Sequence, residues 1–344
     1  MQVSALSDKE LQLVHALQVW PRAPWSRLGP VLDVDPVTLA RRWSDLVRRG
    51  AAWITCQPAQ RAFRHGAVVE VECLAGAAED VVGEVSRDRA CLSVEVVSGA
   101  RTLMLTVSCA DAAELSAYLI RRLDRIPGVR AVRANPVLST IKAGEEWRLT
   151  ALSPAQVGAV EEARRATPAP AEAVRGLGPD ELRTLVAILC RDGRATSKTI
   201  ADGLGVPHRR ARSYVQAAVA GGAMEFRTDV AQRLSGRPVS AWFFLRVPAI
   251  GLREVGTRLR ALRPVWSILS VAGPSNLLVH VRVQSAGEIE GLEIALHQAL
   301  PSLVIADRSL VLAVRKRIGR TFDQDEAPSG VVPWEPLLPR AGQD

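Results

Sequence analysis

An α+β chain built from two copies of one unit, each with a helical front and a mixed back, is the fold class that the amino-acid sequence predicts. Three observations lead there. The first is repetition: Leu6-Ser7-Asp8-Lys9-Glu10-Leu11 reappears as Leu177-Gly178-Pro179-Asp180-Glu181-Leu182 and Gly50 as Gly222, at offsets of 171 and 172. Later on, Ile126-Pro127 matches Leu300-Pro301, Val137-Leu138 matches Val311-Leu312 and Lys142 matches Lys316, all at 174. The second is apolar spacing of three and four in the fronts, and the third is strict alternation bounded by turn residues in the backs.

The first front opens with a helix from about Ser7 to Val19, capped by the Ser7 hydroxyl. A short helix with Leu28, Val31 and Leu32 follows, and Asp33-Val34-Asp35 turns it into another. Asp35 caps that helix, and Pro36 at its first position sacrifices no hydrogen-bond donor. Leu39, Trp43, Leu46 and Val47 form its buried stripe, Thr38, Arg41, Arg42 and Ser44 its open face, and Gly50 its end. This winged-type helix-turn-helix is the arrangement that places a recognition helix in a DNA major groove. Ala51–Thr55 forms a short strand, and Gln57–Gly66 a basic connector.

The first back reads as a strand over Ala67–Leu74, a helix over Ala77–Arg87 and a hairpin that turns at Ser98-Gly99-Ala100. A helix after Asp111 carries Leu115, Tyr118, Leu119, Leu123 and Ile126, and a last strand covers Val129–Ile141. The order β-α-β-β-α-β is the ferredoxin-like split unit, whose sheet keeps one face for pairing. A helix over Ser153–Arg165 and the breaker Thr167-Pro168-Ala169-Pro170-Ala171 make the join. The second copy repeats the plan, with Asp180–Cys190, Lys198–Gly203 and Pro207–Val219 in front and Ala241–Val247 opening its back. Consecutive Trp242, Phe243 and Phe244 must face both sides of that strand, one side core and the other a sheet-to-sheet contact. The expected segments are 1–58 (helix-turn-helix), 66–142 (back domain), 143–176 (linker), 177–236 (second helix-turn-helix), 239–318 (second back domain) and 319–344 (a flexible, proline-bearing tail).

Composition bounds the function. The chain has 344 residues, 48% of them hydrophobic, and a net charge of +8 that suits a polyanionic partner. No run approaches the roughly 20 apolar residues that span a bilayer, so a cytoplasmic protein without a membrane partner is expected. Five scattered cysteines and five separated histidines supply no metal-ligand spacing. No Gly-rich phosphate loop or nucleophile elbow occurs, so neither a cofactor nor a catalytic residue is expected and the chain is read as a non-enzyme.

The front DVDPVTLARRWSDLVRRG, followed by the β-α-β-β-α-β back with its Gly-containing hairpin turn, resembles the leucine-responsive/asparagine regulator (Lrp/AsnC) family of transcription factors. The resemblance runs from about Leu6 to Ile141 and again from Leu177 to Ile318. The family's arginine pair, branched core residue and leucine correspond here to Arg41-Arg42, Trp43 and Leu46, whereas the second copy has Ser213-Tyr214 and Ala218 in those places. The resemblance implies a sequence-specific regulator bound to double-stranded DNA through Thr38, Arg41, Arg42, Ser44, Arg209, Arg210 and Arg212. It also implies a small effector, such as an amino acid, near Gly99, Arg101, Thr102, Gly273, Ser275 and Asn276, although neither turn carries the acid of the family's Gly-x-x-Asp. Finally, it implies pairing of the back domains within the chain or between chains. Siroheme decarboxylases resemble the same architecture, and that alternative would use Arg64-His65 and Arg233 to Arg237 on substrate carboxylates.

Overall fold

The structure, a computed structural model, describes residues 5–59, 65–167 and 177–336. They separate into two compact units, one drawn from Met1–Ala62 and Arg148–Ser235, the other from Phe63–Trp147 and Gly236–Asp344. The two fronts therefore share one unit and the two backs the other. The Pro168-to-Ala171 part of the join lies outside the described residues.

In the first unit, α1 (Asp8–Val19) starts at a capping box in which Ser7 and Glu10 satisfy each other's backbone N–H groups. α2 (Trp25–Leu32) ends at Asp33 in the left-handed region. Asp35 then caps α3 (Pro36–Arg48), its carboxylate accepting from the Val37 and Thr38 amides at 2.9 and 3.2 Å. The strand β1 (Ala52–Pro58) follows. The join contributes α6 (Pro154–Arg165), capped by Ser153. The second front repeats the order as α7 (Pro179–Arg191), α8 (Ser197–Leu204), α9 (His208–Ala220) and β6 (Met224–Val230).

β1 and β6 form a two-stranded antiparallel ladder centred on Thr55 opposite Arg227, positions 172 apart. Ala52 pairs with Val230, and Met224, which holds the place of Ala52 in the second half, pairs with Pro58. A local two-fold axis thus relates the two fronts. Their seam also brings the thiols of Cys56 on β1 and Cys190 on α7 to 3.6 Å, both fully buried.

In the second unit the first back is β2 (His65–Cys73), α4 (Ala78–Ser86), β3 (Cys91–Val97), β4 (Leu103–Cys109), α5 (Ala112–Ala117) and β5 (Val129–Lys142). The helix expected after Asp111 is not uniform: α5 passes into a π-turn over Tyr118–Arg122 and a 3-10 turn over Leu123–Arg125. The second back is β7 (Val239–Arg246), α10 (Leu252–Ala261), β8 (Val265–Val271), β9 (Leu277–Val283), α11 (Gly287–Ala299) and β10 (Val304–Arg317).

The two sheets do more than meet face to face. β5 and β10 are 14 residues long, twice the seven of their neighbours β3 and β8, so each outruns its own sheet and pairs with the other half's edge strand. β5 pairs with β8 and β10 with β3 in equivalent registers, Lys142 opposite Ile268 and Lys316 opposite Val94. With β7 on β10, the ring β10-β3-β4-β2-β5-β8-β9-β7 closes as a barrel. Closure removes the open edges that would template aggregation. Two helix-covered cores lie on the sheets' outer faces, one around Val69, Leu105 and Leu123 and one around Phe243, Val279 and Leu296. A third cluster, with Trp242, Phe244, Met104 and Leu278, occupies the face between the sheets. Trp242 and Phe244 thus face one way and Phe243 the other, as the alternation requires.

The expectation of a flexible tail over 319–344 needs correcting for its described part, which ends at 336. β11 (Arg320–Phe322) pairs with β10, β12 (Pro328–Val331) pairs with β11, and Trp334 is 2% exposed. Burial of the indole favours order in a segment where Pro328 begins a strand and Pro333 and Pro336 fall outside strands.

Candidate nucleic-acid interface and a buried polar cluster

α3 is seated by Leu39, Trp43 and Leu46, all buried. Arg41 and Ser44 are exposed and Thr38 and Arg42 half-buried, so the helix keeps a basic and hydroxyl face free of core packing. The Ser44 hydroxyl donates to the Ala40 carbonyl at 3.0 Å. Val47, expected in the buried stripe, is exposed, and so is Val37 in the first turn, at 76%. α9 is seated by Ala211, Tyr214, Val215 and Ala218, with the Tyr214 hydroxyl donating to Glu181 at 3.2 Å. Arg209, Arg210 and Arg212 are all exposed.

The hairpin turns chosen as effector positions are built into barrel closure. Gly99 has φ +98° and lies against Ser309 of β10; a Cβ at Gly273 would meet the Asn135 side chain of β5 at 2.5 Å. Arg101 is buried, with its guanidinium 2.7 Å from Glu70, 2.7 Å from the Ser309 hydroxyl, 2.5 Å from Asp307 and 4.1 Å above the Phe244 ring. Thr102 accepts from the Cys73 amide at 3.0 Å, Ser275 is buried, and the Asn276 amide bonds both backbone groups of Val247. Each turn is pinned by its own half and faces the other half's long strand.

A cluster that sequence reasoning missed lies between the sheets. The Trp242 indole donates to Glu95 at 2.7 Å, and His280 stacks on Trp242 at 4.5 Å and meets Trp266 edge-on at 4.9 Å. Arg282 lies 4.5 Å over Trp266 and 5.4 Å over Trp147, and Arg317 lies 5.9 Å over Trp266. Burial pushes the Glu95 carboxyl above the ordinary carboxylate range, against the pull of Arg317, the Trp242 N–H and Arg282. The arrangement combines an acid whose pKa burial raises with two guanidiniums that suit carboxylates. It is one-sided: 174 positions earlier, Trp242, Trp266, His280, Arg282 and Arg317 correspond to Val68, Leu92, Thr106, Ser108 and Ala143. That contrast between the halves was the signal that could have found it.

The other residues tied to substrate carboxylates are scattered. His65 opens β2 half-buried opposite Cys109, Arg237 donates to the Arg282 carbonyl at 3.3 Å, and Arg64 lies outside the described residues. Among the described residues no group of three or more His, Cys, Asp or Glu could hold a metal, and no helix is long and apolar enough to cross a membrane.

Residues 66–147 match the family model of the Lrp/AsnC ligand binding domain, so the first back half is such a domain. No curated protein matches the chain in sequence. Among solved structures, the siroheme decarboxylase NirDL is similar over 93% of this chain and 94% of its own, at 14% identity and a TM-score of 0.57. The same decarboxylase in complex with an iron-uroporphyrin III analogue covers 90% and 92%, at 14% identity and a TM-score of 0.56. AsnC of E. coli covers 40% of this chain and 94% of its own, at 17% identity and a TM-score of 0.35. The expectation of a non-enzyme is corrected by these matches, because two structures similar over 90% or more of the chain are those of a decarboxylase.

Proposed function

We propose that the chain is a sequence-specific DNA-binding regulator of the Lrp/AsnC type that responds to a small molecule held by its back half. The reading rests on one observation: two helices, α3 and α9, with exposed Arg41 and Ser44 on one and Arg209, Arg210 and Arg212 on the other, stand in two fronts related by the two-fold register of β1 and β6. A two-fold pair of helix-turn-helix motifs is the geometry with which dimeric regulators dock two successive half-sites on a duplex. Here one chain carries both. The effector side is supported by the family match over 66–147. Fluorescence anisotropy with a genomic library of duplexes tests the first part, with saturable, salt-sensitive binding to a subset expected. Thermal shift against a panel of amino acids tests the second.

A tetrapyrrole decarboxylase is the second reading, favoured by the full-length likeness to NirDL and by the acid-bearing cluster at Glu95. In such a reaction the bond to a carboxylate breaks, carbon dioxide leaves and the remaining carbon takes up a proton. Arg282 and Arg317 would hold carboxylates and Glu95 would carry the proton. Incubation with siroheme under reducing, anaerobic conditions, followed by mass spectrometry, tests it: stepwise loss of carbon dioxide supports the reading, and unchanged siroheme counts against it.

A further inference from the structure

Two helices related by a two-fold axis present the same face to a palindrome only if they carry the same side chains, and α3 and α9 do not. At the offset of 172, Val37, Thr38, Arg41 and Ser44 on α3 correspond to Arg209, Arg210, Ser213 and Gln216 on α9. The exposed part of α3 mixes an apolar group, Val37 at 76% exposure, with Arg41 and the Ser44 hydroxyl. Those are the chemistries that read base edges in a major groove: an apolar contact for the thymine methyl and a guanidinium for guanine. Val37 leaves an apolar side chain largely open to solvent in the first turn of α3, where its counterpart on α9 is Arg209. On α9 the first turns carry His208, Arg209, Arg210 and Arg212, all exposed, a polar and cationic set with no apolar group that suits phosphate contacts, which position a protein without reading sequence. At the position of Arg42, α9 has Tyr214, which is buried and committed to Glu181.

We infer that the chain reads a non-palindromic DNA site in one fixed orientation, with α3 reading bases in one half-site and α9 holding the backbone of the other. The inference rests on the DNA-binding reading and goes beyond it. The β1–β6 ladder fixes both helices in one unit, so the reading and the gripping end cannot exchange by re-pairing as they would between separate subunits.

Selection of bound duplexes from a random pool, followed by cleavage from a tethered iron chelate, tests it. Val47 and Val219 occupy equivalent exposed positions on α3 and α9, so Val47→Cys and Val219→Cys carry the chelate without touching the reading residues. The expected selection is a motif constrained in one half only, cut on the constrained flank by the Val47→Cys conjugate and on the opposite flank by the Val219→Cys conjugate. Val37→Ala is expected to relax preference at one constrained position by at least about fivefold. A palindromic motif, cut equally on both flanks by either conjugate, overturns the inference and leaves DNA binding standing. A pool with no enriched sequence removes both.

Discussion

Arg22 and Arg194 clasp each other's chain segments in a reciprocal pair. Arg22 donates to the carbonyls of Gly193 and, at 3.1 Å, Ala195, while Arg194 donates to those of Pro21 and Ala23, each at 2.8 Å. The donors and the acceptors are all 172 positions apart, so the clasp obeys the same two-fold axis as the β1–β6 ladder. Arg194 also lies 3.8 Å over Trp25, and Arg22 lies 5.1 Å over Phe226. Burial, with Arg22 beside it, lowers the Arg194 guanidinium to about 10, which leaves it charged at neutral pH.

Loss of either arginine strands two carbonyls in the seam between the fronts. Arg22→Ala and Arg194→Ala are each expected to destabilise the first unit by roughly 1–3 kcal/mol, the cost of leaving buried groups unsatisfied. Because the two side chains share one seam, the double variant should lose less than the sum. Denaturant midpoints of the single and double variants measure it.

His15 makes the same unit acid-sensitive. Its Nδ1 accepts from the Leu152 amide at 3.0 Å, and burial, with Arg148 nearby, lowers its pKa from 6.5 to about 4. Between those values the unfolded chain binds a proton that the folded chain refuses, so stability falls as pH drops from 6.5 towards 4. A melting series over that window should show the fall, and His15→Gln should flatten it.

Glu95 acts in the opposite sense on the second unit. Burial raises its folded pKa, so the folded chain holds a proton above the pH at which the unfolded carboxyl loses it, and stability declines as pH rises through the folded value. Glu95→Gln keeps an oxygen to accept from Trp242 and removes the titration. The variant is expected to lose the decline.

DNA affinity should fall steeply with salt. If Arg41, Arg42, Arg48, Arg209, Arg210 and Arg212 each neutralise a phosphate, the log–log slope reaches at most about −5. Arg41→Ala is expected to weaken binding and relax sequence preference, whereas Arg209→Ala and Arg210→Ala should weaken all sequences alike and flatten the slope. Anisotropy titrations at several salt concentrations separate the two outcomes.

Local order in this chain was legible in sequence because local rules dominate there. Ser7, Asp35 and Ser153 cap the helices that their positions imply, and the alternation in β3 and β4 matches the observed strands. Three features were not legible because they depend on partners far away in the chain. The 14-residue β5 and β10 look like ordinary strands until the other half's edge is in place, and only then do they close a barrel. Trp334, alone among prolines, gave no periodicity from which to read a buried tail. The Glu95 cluster is spread over β3, β7, β8, β9 and β10, and no spacing along the chain joins residues that meet only across a closed sheet. Arg101 shows the converse: a turn position that suits a ligand contact in a linear reading is bound to Glu70, Asp307 and Ser309 in the fold.

Genome-wide mapping of DNA bound to the intact chain, in parallel with an Arg41→Ala/Arg42→Ala variant, tests the central claim most directly. The account predicts a limited set of sites that share one motif and disappear in the variant. Uniform background in the parent, or sites that the variant retains unchanged, would contradict it.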